Sequence, residues 1–129
     1  MDISIWCVFI AFMLIYAPRM AAIRGAIEQE GRYDLAEPRP QQARLTGRGG
    51  RAQAAHQNSV EAFAPFAAAI WVAYHGGSAD TVRDTLAVMF VAARGLYIFS
   101  YVANLNPWRT VFWTAGVFAV IGLFVSPLF

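Results

Sequence analysis

Lysine is absent from this chain of 129 residues, and all ten of its basic residues are arginines. Charged residues make up only 14% of the sequence, well below the roughly 25% of a typical soluble domain. Hydrophobic residues make up 58%. This balance leaves no room for a soluble catalytic module and predicts a protein whose partner is the lipid bilayer.

Cysteine is nearly absent as well. Cys7 is the only one and lies inside an apolar run, so it cannot form a disulfide within the chain. The sequence has no CxxC pair and no cluster of histidine and cysteine, so we expect no metal cofactor. Tyr33 is the only aromatic residue among the arginines of the main basic segment, and we therefore expect no nucleic-acid partner.

Apolar residues fill four long stretches that are separated by three polar connections. A helix needs about 20 predominantly apolar residues to cross a bilayer, and four such helices consume nearly the whole chain. The sequence therefore predicts an all-α integral membrane protein, a four-transmembrane-helix bundle formed by one domain, residues 1–129. We expect the spans at about 3–23, 52–75, 81–103 and 108–127.

The distribution of arginine predicts the orientation. Seven arginines, the first being Arg19 near the end of the first span and the last Arg51, precede the second span, and Arg109 lies where the third connection meets the fourth span. Cytoplasmic loops of membrane proteins carry an excess of basic residues. We therefore expect the loop of residues 24–51 to be cytoplasmic and both termini to lie outside.

The connections carry residues that end or begin helices. Pro38 and Pro40 predict that the cytoplasmic loop is not helical at that point, and the glycines after them predict a flexible turn before the second span. Ser78 or Asp80 is expected to cap the N-terminus of the third span, because short polar side chains satisfy free amide groups there.

Two of the predicted spans carry polar residues at helical spacing. Arg51, Asn58 and Glu61 lie near one face of the second span. A charge near the bilayer centre costs about 2.5–3.5 kcal/mol, so it is retained where it meets a partner or a wet cavity. We therefore expect Glu61 to pair with the arginine of the third span. The stripe of that span consists of Arg94, Tyr97, Tyr101 and Asn104.

These stripes have two interpretations. In the first, Glu61 and Arg94 form a buried ion pair that fixes the register of the helices and binds nothing. In the second, they belong to a site for a polar ligand at the cytoplasmic face of the membrane. The second interpretation also accounts for the asparagine and the two tyrosines of the stripes.

Two segments resemble the MAPEG family, the membrane-associated proteins in eicosanoid and glutathione metabolism: RAQAAHQNSVEAFAPFAAA and ARGLYIFSYVANLNPWR. The resemblance covers nearly the whole chain, and GRYDLAEPRPQQARLTGRGGRAQAAHQNSVEAF is similar to a bacterial branch of the family. It implies a homotrimer of left-handed four-helix bundles in the bacterial cytoplasmic (inner) membrane. It also implies that glutathione binds between neighbouring subunits at the cytoplasmic side.

The resemblance also implies roles for single residues. Arg109 matches an arginine that activates the thiol of glutathione, and a guanidinium can do so because it lowers the thiol pKa and favours the nucleophilic thiolate. Arg109 is therefore the expected catalytic residue. The expected glutathione-binding residues are Arg51, Asn58, Glu61, Arg94, Tyr97 and Tyr101.

Three functional hypotheses follow. The leading one is a glutathione-dependent transferase or peroxidase that acts on lipophilic electrophiles. Ala54 and Ala62 stand where glutathione-using members usually carry arginine and often tyrosine, and they favour a non-enzymatic membrane trimer that binds another amphiphile or anion. The third is a small multidrug-type transporter, although these usually carry their glutamate in the first span, where only Asp2 is acidic here.

Overall fold

The computed structural model describes residues 2–129, and in this range all regular secondary structure is helical, without a strand. Five α-helices and one short 3₁₀ helix follow one another along the chain. They are α1 (Ile3–Glu30), α2 (Pro38–Arg44), α3 (Gly47–His75), α4 (Asp80–Val102), α5 (Trp108–Val125) and the 3₁₀ helix Ser126–Leu128.

The four long helices pack side by side and alternate in direction, with α3 in contact with α1, α4 and α5. Gly25 meets Gly49, and Arg19 donates a hydrogen bond to Gln53, so α1 and α3 run antiparallel. One end of the molecule holds residues near both chain termini, and the other end holds the long loop between α1 and α3. We call them the termini end (residues 2–4, 76–80 and 126–128) and the loop end (residues 31–46 and 103–107).

The core combines very small residues with one stacked aromatic pair. A β-carbon on Gly25 would lie 2.6 Å from the α-carbon of Gly49, so the crossing of α1 and α3 requires glycine. Small residues of this kind let membrane helices approach closely. Phe66 of α3 stacks on Phe90 of α4, with ring centroids 3.9 Å apart, and both rings are buried.

Three helical segments are long and apolar enough to cross a membrane: Ile3–Glu30, Asp80–Val102 and Trp108–Leu128. Helix α3 is as long as α1, with 29 residues against 28. Its first half, however, carries the polar residues of the sequence RAQAAHQNSVE, which lower its hydropathy. The predicted second span is therefore a long helix of mixed polarity that packs against all the others.

The loop between α1 and α3 is more regular than the sequence indicated. The prediction that Pro38 and Pro40 exclude helix is wrong, because both lie in the first turn of α2, where an amide donor is not needed. The predicted flexible turn is wrong too. Gly47 begins α3 with a φ of 56°, and Gly49 lies within that helix against α1.

The N-terminus of α4 also differs from the prediction. Ala79 occupies the N-cap position, and no side chain caps the helix there. Ser78 is buried, and its hydroxyl has no hydrogen-bond partner within residues 2–129. Asp80 is the first residue of the helix and pairs with Arg83 at 2.9 Å instead.

Arg83 joins three elements at the termini end. The residue is only 3% exposed, and its side chain donates hydrogen bonds to Ser4 at 3.1 Å and to Asp2 at 3.3 Å. The guanidinium also lies 4.8 Å from the centroid of the Tyr74 ring. Together with Asp80, these contacts satisfy the buried charge of Arg83 from several sides.

Helix α1 contains Pro18, which cannot donate to the hydrogen-bond ladder of the preceding turn. One turn before it, the carbonyl oxygen of Ile15 lies 2.8 Å from Nδ1 of His56 in α3. The imidazole of His56 therefore links the two helices at the interrupted turn.

Candidate functional site

A cavity of about 280 Å³ opens between α3, α4 and α5. Its polar residues are Asn58 and Glu61 from α3 and Arg94 from α4. The remainder of the wall is apolar, apart from the backbone of Gly116. These other lining residues are Ala62, Pro65, Phe90, Trp113, Gly116, Val117, Val120 and Ile121.

A second cavity of about 170 Å³ lies next to the first, nearer the loop end. The two cavities share Asn58 and Trp113. The second is also lined by Tyr97 and by the first-turn residues of α5, Arg109 and Thr110. The shared residues make the pair one cleft, with a mostly apolar chamber and a smaller chamber beside Arg109.

Arg94 is 5% exposed and has few polar contacts. It donates one hydrogen bond, 3.3 Å long, to the hydroxyl of Ser59, and its guanidinium lies 4.2 Å from the centroid of the Tyr97 ring. An arginine has five N–H donors. Within residues 2–129, no carboxylate lies within 4 Å of Arg94.

The predicted ion pair between Glu61 and Arg94 is therefore wrong. Both side chains line the larger cavity, but Glu61 is exposed and Arg94 turns to Ser59. Residues two apart on a helix point in directions about 200° apart, so Ser59 and Glu61 lie on different sides of α3. The arginine thus retains free donors beside an open cavity.

The tyrosines of α4 connect Arg94 to Arg109. Tyr97 meets Tyr101 edge to face, with centroids 5.7 Å apart, and the guanidinium of Arg109 lies 4.4 Å from the centroid of the Tyr101 ring. Tyr97 is buried and lines the smaller chamber. Cation–π contacts of this kind hold a guanidinium in place without neutralising its charge.

Asn58 carries an unsatisfied acceptor. Its Oδ1 atom is buried and has no hydrogen-bond partner in the part of the chain that the structure describes. Leaving such an atom without a donor costs about 1–3 kcal/mol. Asn58 lines both chambers, so this unsatisfied acceptor lies directly beside the cleft.

Arg51 lies apart from the other predicted binding residues. Its Nε donates to the carbonyl of Val102 at 3.2 Å, and its side chain lines a groove of about 390 Å³. This groove also contains Arg48, Phe99 and Ala103 and shares no residue with the cleft. Within one chain, the structure brings together Asn58, Glu61, Arg94, Tyr97, Tyr101 and Arg109 and separates Arg51 from them.

Several lining residues escaped the sequence analysis. Trp113 and Gly116 follow Arg109 at spacings of four and three, which places all three near one face of α5. Gly116 lies against Arg94 and Phe90, where a β-carbon would meet both at about 3.8 Å. The periodicity of the last span contained this signal, but only the contact with α4 identifies it as part of a site.

Three helical segments long and apolar enough to cross a membrane fit an integral membrane protein. The sequence pattern of the MAPEG family matches residues 3–129, essentially the whole chain. The protein belongs to the MAPEG family. No curated protein matches the chain significantly.

The family assignment decides between some of the sequence hypotheses. It identifies a MAPEG-like membrane protein and gives no support to the small multidrug-type transporter, the least favoured of the three hypotheses. Residues 2–129 contain no group of three or more histidine, cysteine, aspartate or glutamate side chains placed to hold a metal ion. The cleft and its arginines are the chemical features that a function has to explain.

Proposed function

We propose that the cleft between α3, α4 and α5 binds glutathione and that the protein is a glutathione-dependent transferase or peroxidase acting on lipophilic electrophiles. The observation that carries the proposal is the pair of chambers joined at Asn58 and Trp113. The smaller chamber offers Arg109 at the loop end. The larger chamber offers an apolar wall together with three polar side chains, those of Asn58, Glu61 and Arg94. A polar thiol and an apolar acceptor could therefore meet in one cleft.

The polar groups suit a tripeptide with two carboxylates and one ammonium. Arg94 has free donors for a carboxylate, and charge-assisted contacts of this kind are the strong ones. Glu61 can accept hydrogen bonds from the ammonium, and Asn58 Oδ1 needs a donor. The combination of an uncompensated cation and an exposed carboxylate in one cavity supports a zwitterionic ligand.

Arg109 is the proposed catalytic residue. It lies in the first turn of α5 beside the smaller chamber, where its charge is not neutralised by a carboxylate within 4 Å among residues 2–129. A cation at this place lowers the pKa of a thiol and stabilises the thiolate. The thiolate sulfur then attacks the electrophilic carbon. A sulfur–carbon bond forms, and the leaving atom departs with the bonding electron pair.

The position of Glu61 supports assembly as a homotrimer with the cleft at an interface between subunits. In a single chain Glu61 is exposed halfway along α3, where contact with lipid would cost about 2.5–3.5 kcal/mol. Ala64 and Ala68 extend the same exposed face towards the termini end. A neighbouring helix could pack closely on these small residues and shield the carboxylate from lipid.

A second candidate function is a non-enzymatic trimer that binds another amphiphile or anion in the same cleft. Ala62 lines the larger cavity and offers no polar group there, and Ala54 is half-buried on the same helix. Helix α3 therefore lacks the arginine that glutathione-using relatives usually carry at position 54 and the tyrosine that they often carry at position 62. Fewer contacts for the carboxylates would favour a ligand other than the tripeptide.

Calorimetric titration of the detergent-solubilised protein with glutathione at pH 7 tests the proposal. We expect saturable binding that weakens at least tenfold in Glu61→Ala. Glu28→Gln is the matched control, because it also removes one carboxylate but lies at the exposed end of α1, paired with Arg24 at 2.9 Å. The control should bind like the wild type.

The Arg109→Ala variant separates binding from chemistry. We expect it to retain most of the glutathione affinity while the ultraviolet absorbance of the bound thiolate disappears. Binding without a thiolate signal in the wild type would point to the non-enzymatic candidate. Absence of binding at millimolar glutathione would refute the proposal outright.

A further inference from the structure

Two grooves flank the first turn of α3 at the loop end, away from the cleft. One, of about 500 Å³, lies against α1 and is lined by Arg24, Glu28 and Arg48 among others. The other, of about 390 Å³, lies between α3 and α4. Arg48 lines both, and neither groove shares a residue with the cleft.

The groove between α3 and α4 holds two uncompensated cations. Neither Arg48 nor Arg51 lies within 4 Å of a carboxylate in residues 2–129, and the only acceptor of Arg51 is the neutral carbonyl of Val102. In the groove against α1, by contrast, Arg24 is already paired with Glu28. Of the two grooves, the α3–α4 groove therefore has the larger uncompensated positive charge, which an external anion can neutralise.

The backbone adds to this charge. Thr46 is the N-cap residue of α3, and its side chain makes no capping hydrogen bond. The first amide groups of an uncapped helix are free donors at the positive end of its dipole. Arg48 stands in this first turn and Arg51 one turn later, so both kinds of positive charge meet at the same rim of the groove.

The other wall of the groove is apolar and exposed in the single chain. Phe99 is 63% exposed. It precedes Val102 by about one turn of α4 and therefore lies further from the loop end. A phospholipid has the same order along the membrane normal, with its phosphate at the interface and its acyl chains further in. Basic pockets between transmembrane helices on the cytoplasmic side are known to hold anionic lipid head groups.

We propose that the groove formed by Arg48, Arg51, Phe99, Val102 and Ala103 binds an anionic phospholipid. The two guanidinium groups hold the phosphate, and one acyl chain lies along Phe99. The predicted orientation is consistent with this occupant, because the loop end is the side expected to face the anionic leaflet. Within one chain the groove shares no residue with the cleft, and it uses none of the proposed catalytic residues.

Native mass spectrometry of the purified full-length protein tests the proposal, with titration by phosphatidylglycerol and, separately, by phosphatidylcholine. We expect the wild type to bind phosphatidylglycerol at least tenfold more tightly. Each arginine near a membrane surface contributes roughly a fivefold change in affinity, so Arg48→Gln with Arg51→Gln should weaken phosphatidylglycerol binding about 25-fold. Affinity for phosphatidylcholine should not change.

The matched control is Arg32→Gln with Arg39→Gln, which removes the same charge from exposed positions of the loop that line neither groove. An equal loss of affinity in this control would mean that diffuse attraction to the basic loop, and not the groove, accounts for lipid binding. The single Arg48→Gln variant covers the case in which the double variant does not fold. Arg48 makes no side-chain hydrogen bond within residues 2–129, and its loss should cost about fivefold.

Other results would overturn the proposal. Equal wild-type affinity for both lipids would exclude a head-group site. Displacement of phosphatidylglycerol by inorganic phosphate alone would identify a free anion as the ligand. A fall in oligomeric mass in the Arg48 and Arg51 variants, without a change in lipid affinity, would mean that a second copy of the chain covers the groove.

Discussion

Helix α4 buries two arginines whose surroundings are opposite. Arg83, 3% exposed, bonds to Asp2, Ser4 and Asp80 at the termini end. Arg94, 5% exposed, contacts only the hydroxyl of Ser59 and the ring of Tyr97 as polar or aromatic partners within residues 2–129, and it lines an open cavity. The same residue type on one helix thus ties elements together at one place and keeps unused donors at the other.

The difference between the two arginines indicates where buried polar groups destabilise this protein. Burying a charge is expensive unless partners compensate it, and a pair or network does so only with good geometry. Arg83 has that compensation within the chain. Arg94 does not, and Asn58 beside the same cavity leaves its own acceptor unsatisfied. Uncompensated groups concentrated in one cleft are typical of a site that a ligand completes.

The largest expected effect is on binding at Arg94. Arg94→Met removes the free guanidinium, and we expect glutathione affinity to fall by about 2–3 kcal/mol, the usual value of a hydrogen bond to a charged group or slightly more. Stability against denaturant should stay equal or rise, because an uncompensated buried charge is replaced by an apolar side chain. A variant that is less stable but binds normally would mean that Arg94 stabilises the fold and does not contribute to ligand binding.

The corresponding change at Arg83 should affect the stability of the protein and not its affinity for glutathione. Arg83→Met removes the partner of several polar groups, and we expect the free energy of unfolding in detergent to fall by about 1–3 kcal/mol. The loss is limited because Asp80, with 84% of its side chain exposed, can be hydrated instead. Glutathione affinity should be unchanged. If the Arg83 variant were as stable as the wild type, the termini-end network would not be a stabilising one.

A smaller change sharpens the account of Arg83. Asp80→Asn removes only the exposed partner, and exposed ion pairs contribute at most about 1 kcal/mol. We expect a loss of stability below that value and a strong dependence on salt, measured in the same unfolding assay. A loss as large as that of Arg83→Met would show that Asp80 supplies most of the compensation.

The smallest expected effect lies outside the membrane, in the loop, where a charge is held by backbone groups. The amides of Glu37 and Ala36 each donate to the Asp34 carboxylate at 3.0 Å, and this lowers the pKa of that carboxyl. Because the pKa is lowered, the ionised carboxylate of Asp34 stabilises the folded loop at pH values above the ordinary aspartate pKa of about 3.9. This stabilisation is lost as the pH falls through the pKa that Asp34 has in the folded state.

Hydrogen exchange measured against pH tests this. The amides of Ala36 and Glu37 should be protected at neutral pH and lose protection under acidic conditions, once Asp34 is protonated. In Asp34→Asn the protection should be low and should not follow this titration. An unchanged acid profile in the variant would mean that other groups order the loop.

Much of the architecture could be predicted from local sequence, because four apolar stretches of sufficient length have few alternatives to helices. The errors fell where local rules compete. Pro38 and Pro40 were assigned to irregular loop, although a first turn accepts proline. Gly49 was assigned to a turn, although it serves the contact with Gly25 inside a helix.

The candidate site was predictable in part for a different reason. Helical spacing placed Asn58 and Glu61 on one helix and Arg94 and Tyr97 on another, and the structure brings these four into one cleft. Spacing alone does not say which way a side chain turns between two neighbours. The turn of Arg94 towards Ser59 therefore followed only from the packing of α3 against α4.

The contact between His56 and Ile15 has a spectroscopic consequence. A carbonyl oxygen can only accept, so the proton of this 2.8 Å hydrogen bond resides on Nδ1 of the imidazole. With the imidazole neutral, Nε2 is then the unprotonated nitrogen, and the two ring nitrogens should have widely separated ¹⁵N chemical shifts. His56 therefore serves as a built-in probe of the interrupted turn before Pro18, readable in intact bilayers without any added label other than the isotope.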